Sequence, residues 1–270
     1  MSSTPEQNER HPDGQISTEV RGNIMLIGID RPEKYNGFTP KMFSELADAY
    51  AELENNSELW VGVLFAHGKH FTAGLDLPKF ADAMKKGEAI LPTNGIDPFS
   101  LKPPFRTKPV VAAMNGICYT AAIELMLATE IVVSARSARY SQLEVGRGVM
   151  AAAGATFRMV ERAGWGNAMK VLLTGYEFNA EEALRYNFIQ EIVDDGEEFN
   201  RALELAEEIA KQAPLAVQAT LQSSRAYYFD SPKAAVDEFI PVMKALANTE
   251  DAAEGVQSFI EKRPPVYKGK

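Results

Sequence analysis

Apolar positions along the chain change period several times, and the changes divide it into elements. Residues 16–20 and 23–30 are rich in β-branched side chains, alternate loosely and are split by Gly22, which predicts a pair of strands. RPEKYNGF (31–38) carries Pro and Asn-Gly breakers and reads as a loop. Thr39 stands where an N-cap belongs and Pro40 fits the first helical position; Met42, Phe43, Leu46, Tyr50 and Leu53 then recur at helical spacing to about Asn55. The short apolar runs WVGVLFA (60–66), PVVAAM (109–114) and IVVSA (131–135) have the make-up of buried strands. Between the first two lie a turn-rich link, HGKHFTAGLD (67–76), a helix near 77–86, and a segment, 87–107, punctuated by Pro92, Pro98, Pro103 and Pro104. That segment lacks periodicity and reads as a mobile insert over a cleft. A helix over about 120–129 separates the second run from the third.

Downstream, 148–154 is a loop of small residues, 156–163 and 167–174 read as helices ended by Gly164 and Gly175, 180–186 as a short helix and 188–193 as a strand. From Glu198 the character changes. Leu203, Leu205, Ala206, Ile209 and Ala210 mark an amphipathic helix, and further helices are expected at about 214–229, 232–248 and 250–261. The pattern predicts an α/β core over 16–197 and a helical region over 198–270, which packs on another subunit or covers its own core. Residues 1–15 are polar, without the apolar stretch of a signal peptide, and are expected to be a disordered tail.

Composition narrows the function classes. The chain has 270 residues, 46% of them hydrophobic, and a net charge of −9, which argues against nucleic acid or an anionic membrane as the main partner. No run approaches the ~18 apolar residues of a membrane span. Cys118 is the single cysteine, so no intrachain disulfide forms; it reads as a buried small hydrophobe, and a cytoplasmic location is expected. The histidines are His11, His67 and His70; none pairs at helical metal-ligand spacing, so no metal site is expected.

The candidate chemistry lies in two glutamates set in apolar surroundings, Glu124 in AAIELMLATE (121–130) and Glu144 in RYSQLEVGRG (139–148). A helix, a crossing strand and a return turn between them would bring both carboxyls to one cleft. Such a pair can act as general acid and general base. The competing reading is two ordinary glutamates on solvated faces, where most glutamates lie.

Three segments in register, HFTAGLDL (70–77), KPVVAAMNGICYTAAIELMLATEIVVSA (108–135) and 139–193, together with RPEKYNG (31–37) and the C-terminal FIEKRPPVYKGK (259–270), resemble the crotonase (enoyl-CoA hydratase/isomerase) superfamily. The resemblance spans roughly residues 16–265. It implies a spiral of ββα units with a C-terminal α-helical trimerisation region, a homotrimer or dimer of trimers, and an acyl-CoA substrate. No separate cofactor is implied, coenzyme A being part of the substrate. It further implies an oxyanion hole formed by the backbone N–H groups of Leu75 and Ala121. The family's hydratases carry two catalytic glutamates, matched here by Glu124 and Glu144. Glu144 would deliver a proton to the α-carbon and Glu124 would hold and deprotonate the water. Lys34, Ala73, Asp76 and Leu77 are the implied CoA-binding residues, with Phe259 and Lys262 reaching a neighbouring subunit's ligand.

The function implied is hydration of a trans-2-enoyl-CoA, as in fatty acid β-oxidation. The alternatives are isomerase or thioester hydrolase chemistry on the same scaffold, and a non-catalytic CoA-binding or scaffold protein. The chain departs from the family at Thr120-Ala121-Ala122, where glycines are usual, at Leu143, where proline is frequent, and at 149–153, which lacks the usual proline and most of the glycines. If Ala121 needs a positive φ, its side chain is disfavoured there. Leu75 and Met150 suit an aliphatic acyl group.

Overall fold

The computed structural model describes residues 11–88 and 95–270; most of the expected N-terminal tail and residues 89–94 of the expected insert lie outside them. The chain begins as an antiparallel hairpin, β1 (Gln15–Arg21) against β2 (Ile24–Asp30), with Ser17 opposite Gly28. Then follow α1 (Pro40–Asn55), β3 (Val61–Ala66), α2 (Leu77–Lys86), β4 (Val110–Met114), β5 (Ile117–Tyr119), α3 (Ala121–Leu127), β6 (Ile131–Ala135) and β7 (Arg139–Ser141). The remainder comprises α4 (Ala155–Ala163), α5 (Trp165–Thr174), β8 (Phe178–Asn179), α6 (Ala180–Arg185), β9 (Glu191–Val193), α7 (Glu198–Ala210), α8 (Pro214–Phe229), α9 (Pro232–Asp237), α10 (Phe239–Ala247) and α11 (Glu250–Glu261).

Two sheets organise these elements. One has the order β1-β2-β3-β4-β6-β9, parallel from β2 onward; the other is β5-β7-β8. The chain steps from the first sheet into the second and returns through helices. β4 leads to β5 and α3, β6 leads to β7 and the α4–α5 pair, and β8 returns through α6 to β9. These are successive ββα passes, with α/β layering.

Strands β2, β3 and β4 are buried on both faces, so they read as continuous apolar runs rather than alternating ones. Met25, Ile27 and Ile29 join the larger core with α1, α3 and α4; Ile24 and Leu26, one register away, join a second core on the opposite face. Ala202 and Ala206 of α7 complete that second core. Their small side chains let the helix lie close to the strands. α7, placed by sequence in the helical region, therefore covers its own sheet, and α8 to α11 lie beyond it.

Several expectations change. The segment expected as a mobile insert is anchored over its described part: Ile96 and Phe99 are buried, the Asp97 carboxylate accepts from the Phe99 and Leu101 N–H groups, and Arg106 is fully enclosed. The helix expected over 232–248 is broken at Glu238, because Pro241 has no N–H to donate to Asp237. The strand expected over 188–193 is confined to β9, with Phe188 and Ile189 buried ahead of it. The second sheet was not anticipated, since strands of two or three residues are too short to display a period. Among the described residues no helix is long and apolar enough to cross a membrane.

Candidate active site

The site is assembled where the chain leaves β3 and β5 and where it turns after β7. In the first of these, the Thr72 hydroxyl donates to the Asn36 carbonyl at 2.7 Å and accepts the Gly74 N–H at 3.0 Å. The Phe38 N–H donates to the Gly74 carbonyl and the Asp76 N–H to the Phe38 carbonyl. These bonds bracket Leu75, whose own N–H donates to no acceptor among the described residues. Gly74 has φ +100°, and a Cβ there would lie 1.9 Å from the Thr120 hydroxyl, so glycine is required on both counts.

Opposite, Thr120 opens α3. It adopts φ 52°, ψ −109°, a region that a β-branched residue rarely enters. The positive φ thus falls on Thr120 and not on Ala121. The Thr120 N–H donates to the Ser141 carbonyl, while the Ala121 N–H, in the unpaired first turn of the helix, donates to no acceptor among the described residues. Leu75 and Ala121 both line one cavity, so it is served by two unpaired backbone donors.

Glu124, one turn further along α3, is 5% exposed. Its Oε1 accepts from the N–H groups of Ala153 (2.7 Å) and Ala155 (3.2 Å). Arg158 fixes that loop: its guanidinium donates to the carbonyls of Ala153, Phe99 and Ser100, tying α4 to the described part of the former insert. Gly154, at φ +113°, leaves room for this guanidinium, which a Cβ would meet at 2.3 Å. Burial pushes the Glu124 carboxyl up to about 7; its two backbone donors pull the other way, and the neighbouring Glu144 charge pushes it higher.

Glu144 begins a 3-10 turn, Glu144–Arg147. The Gln142 side-chain amide donates to its Oε1 at 3.1 Å, while Oε2 is buried without a protein donor. Burial raises this carboxyl above the ordinary glutamate range as well. Two raised carboxyls in one shielded site are suited to passing protons.

The cavity has a volume of about 260 Å³. Ala73, Leu75, Leu77, Ala121, Glu124 and Glu144 all line it, as does Met150; the walls are otherwise mainly apolar. Lys34, Asp76, Phe259 and Lys262 do not. The Asp76 carboxylate is held by the buried Arg31 guanidinium at 2.8 Å, so its side chain is already engaged. Lys34 ends an exposed 3-10 turn, Phe259, 85% exposed, lies on the C-terminal helix, and Lys262 caps that helix. Sequence reasoning missed Phe43, Met84, Phe99, Thr120 and Arg147 as lining residues. Phe43 was visible only as part of a helical stripe. Arg147 lies three residues after Glu144, a spacing visible in the sequence. Among the described residues, no three His, Cys, Asp or Glu side chains gather as metal ligands.

Residues 19–270 match the family model described as enoyl-CoA hydratase/isomerase. The chain is 30% identical over 264 residues to (E)-benzylidenesuccinyl-CoA hydratase of Thauera aromatica, covering 94% of this chain and 99% of that one. It is 29% identical over 247 residues to 2,3-dehydroadipyl-CoA hydratase of Escherichia coli, covering 92% and 96%. Among solved structures, a probable enoyl-CoA hydratase/isomerase from Mycobacterium abscessus superposes with a TM-score of 0.92 at 40% identity, over 94% of this chain and 98% of the other.

Proposed function

The chain belongs to the enoyl-CoA hydratase/isomerase (crotonase) family, and we propose that it adds water across the double bond of a trans-2-enoyl thioester of coenzyme A. The observation that carries this reading is the meeting of two raised carboxyls and two unpaired backbone N–H groups in one mainly apolar cavity. The hydratases among its relatives support it.

In this reading the thioester oxygen accepts from the Leu75 and Ala121 N–H groups, which stabilise the negative charge that builds there as water attacks. The water oxygen bonds to the β-carbon and its proton passes to Glu124, whose other contacts are with backbone donors that fix its orientation. Glu144, carrying the pair's single shared proton in the reactive state, delivers it to the α-carbon. The carbon–carbon π bond is consumed, and the thioester is restored when the enolate collapses. One proton has moved from Glu144 to the product and one from water to Glu124, so exchange between the pair resets the site. Ala73 and Leu77 border the thioester's path, with Lys34 and the backbone at Asp76 serving the CoA portion. A second copy of the chain would bring Phe259 and Lys262 to the same ligand in a trimer or dimer of trimers; exposed apolar side chains on α10 and α11 support such an assembly.

The test is mass spectrometry of products from crotonyl-CoA in heavy-oxygen water. The expected product gains one water with the label on the β-hydroxyl. Glu124→Gln and Glu144→Gln should each lower the rate by ~10²–10⁴. Free CoA with label in the released acid would replace this reading with hydrolysis. A shifted double bond without label, from a longer enoyl-CoA, would replace it with isomerisation.

A further inference from the structure

Arg147 stands apart from the other arginines of the described chain. Each of the others forms an ion pair with a carboxylate or donates to backbone carbonyls; Arg31 meets Asp76, Arg106 and Arg225 meet Glu130, Arg136 pairs with Glu181 and Asp194, and Arg158 and Arg162 meet carbonyls. The Arg147 guanidinium, among the described residues, has no hydrogen bond and no ion pair, and Arg147 lines the cavity that holds Glu124 and Glu144.

Its position follows from the local backbone. In a 3-10 turn, side chains three residues apart eclipse one another, at a rise of about 2.0 Å per residue. Within Glu144–Arg147 the guanidinium therefore shares a face with the Glu144 carboxyl, one turn of ~6 Å further along. The two make no ion pair. Gly146 and Gly148 flank Arg147 and all three are exposed, so Arg147 stands where the cavity opens to solvent. Its neighbours in the cavity, Val149 and Met150, are apolar. A guanidinium in apolar company, with no internal partner, complements a planar anion, which it can hold by two parallel hydrogen bonds.

We propose that Arg147 selects acyl chains that end in a carboxylate, so that the substrate class is a trans-2-enoyl-CoA with a free carboxylate a few carbons beyond its β-carbon. This rests on the reading that the cavity takes the acyl part of a CoA thioester. It adds a terminal carboxylate to the aliphatic acyl group expected from Leu75 and Met150.

Binding of saturated thioesters tests the proposal without relying on turnover. Wild-type protein, Arg147→Leu and Arg147→Lys are titrated calorimetrically with adipyl-CoA and hexanoyl-CoA, which differ in having a terminal carboxylate or methyl group. The wild type is expected to bind adipyl-CoA roughly tenfold more tightly. Arg147→Leu should lose that preference while keeping its affinity for hexanoyl-CoA, and Arg147→Lys should keep part of it. No preference in the wild type overturns the proposal. Equal weakening of both thioesters by Arg147→Leu also overturns it, assigning the guanidinium to the CoA phosphates instead. Hydration of trans-2-hexenedioyl-CoA is then measured separately. Intact adipyl preference without hydration sinks the hydratase reading and leaves the selectivity of Arg147 standing.

Discussion

Thr120 carries local backbone strain. Its backbone occupies a glycine-like region, and its hydroxyl excludes any side chain at position 74. Such a conformation costs of order 1–3 kcal/mol. Glycine would relieve it at a cost of ~0.5–1 kcal/mol in unfolded-chain entropy. Thr120→Gly is therefore expected to stabilise the fold by about 1 kcal/mol, read as a higher urea midpoint at unchanged m; a lower midpoint would show that the threonine packs too well to be strained. Glu124 makes a second prediction at this scale. Its carboxyl titrates at about 7 in the folded protein against an ordinary 4.5, so the native state binds this proton more tightly than the unfolded chain does. Stability should then fall as pH rises from about 4.5 to about 7, with the loss complete above that, on the order of 3 kcal/mol. Glu124→Gln should flatten this slope in denaturant titrations; an unchanged slope would place its origin elsewhere. Because hydration needs one proton on the carboxyl pair, the activity profile should be bell-shaped, the two limbs belonging to the pair.

At the level of elements, the site depends on how segments distant in sequence are tied together. Arg106, fully buried, donates to Glu130 and to the carbonyls of Lys108 and Ala128, joining the segment before β4 to the turn between α3 and β6. Arg106→Met should cost about 3 kcal/mol, because two carbonyls lose their donor and the Glu130 carboxylate keeps only Arg225 and the Val110 N–H. Thermal unfolding checks this; a loss below ~1 kcal/mol would mean that the loop relaxes to recruit other donors. The longer elements were legible beforehand. Thr39 and Pro40 mark the start of α1, and the Thr39 hydroxyl does accept the Met42 N–H at 3.3 Å. Gly164 and Gly175 end α4 and α5 as expected. What escaped was set by contacts rather than by period. Strands β5, β7 and β8 exist because they pair with one another, and the break between α9 and α10 turns on the single Pro241.

For the whole molecule, the distribution of apolar surface is the decisive feature. α7 closes the second core, whereas α10 and α11 expose Phe239, Ile240, Met243, Val256 and Ile260. The C-terminal segment is nonetheless anchored: the N–H groups of Lys268 and Gly269 donate to the buried Asp251 carboxylate. A firmly held region with apolar side chains turned outward fits a surface covered by another copy. Sedimentation should give three or six times the chain mass of 29.7 kDa, and Ile240→Asp should shift the population toward the single chain. A monomeric wild type would refute the assembly.

The sequence by itself determined the α/β class, the buried strands of the large sheet, the caps of the longer helices and the candidacy of Glu124 and Glu144. Each of these follows from spacing or from a residue's own backbone preference. Only the tertiary structure decided that the two carboxyls face one cavity, that their protons are held more tightly than in water, and that Leu75 and Ala121 leave N–H groups unpaired beside them. It also decided that the positive φ falls on Thr120, that α7 belongs to the core, and that Arg147 shares the face of Glu144 without a partner. Burial, hydrogen-bond pairing and charge proximity are properties of neighbours brought together from distant parts of the chain, and no local pattern encodes them.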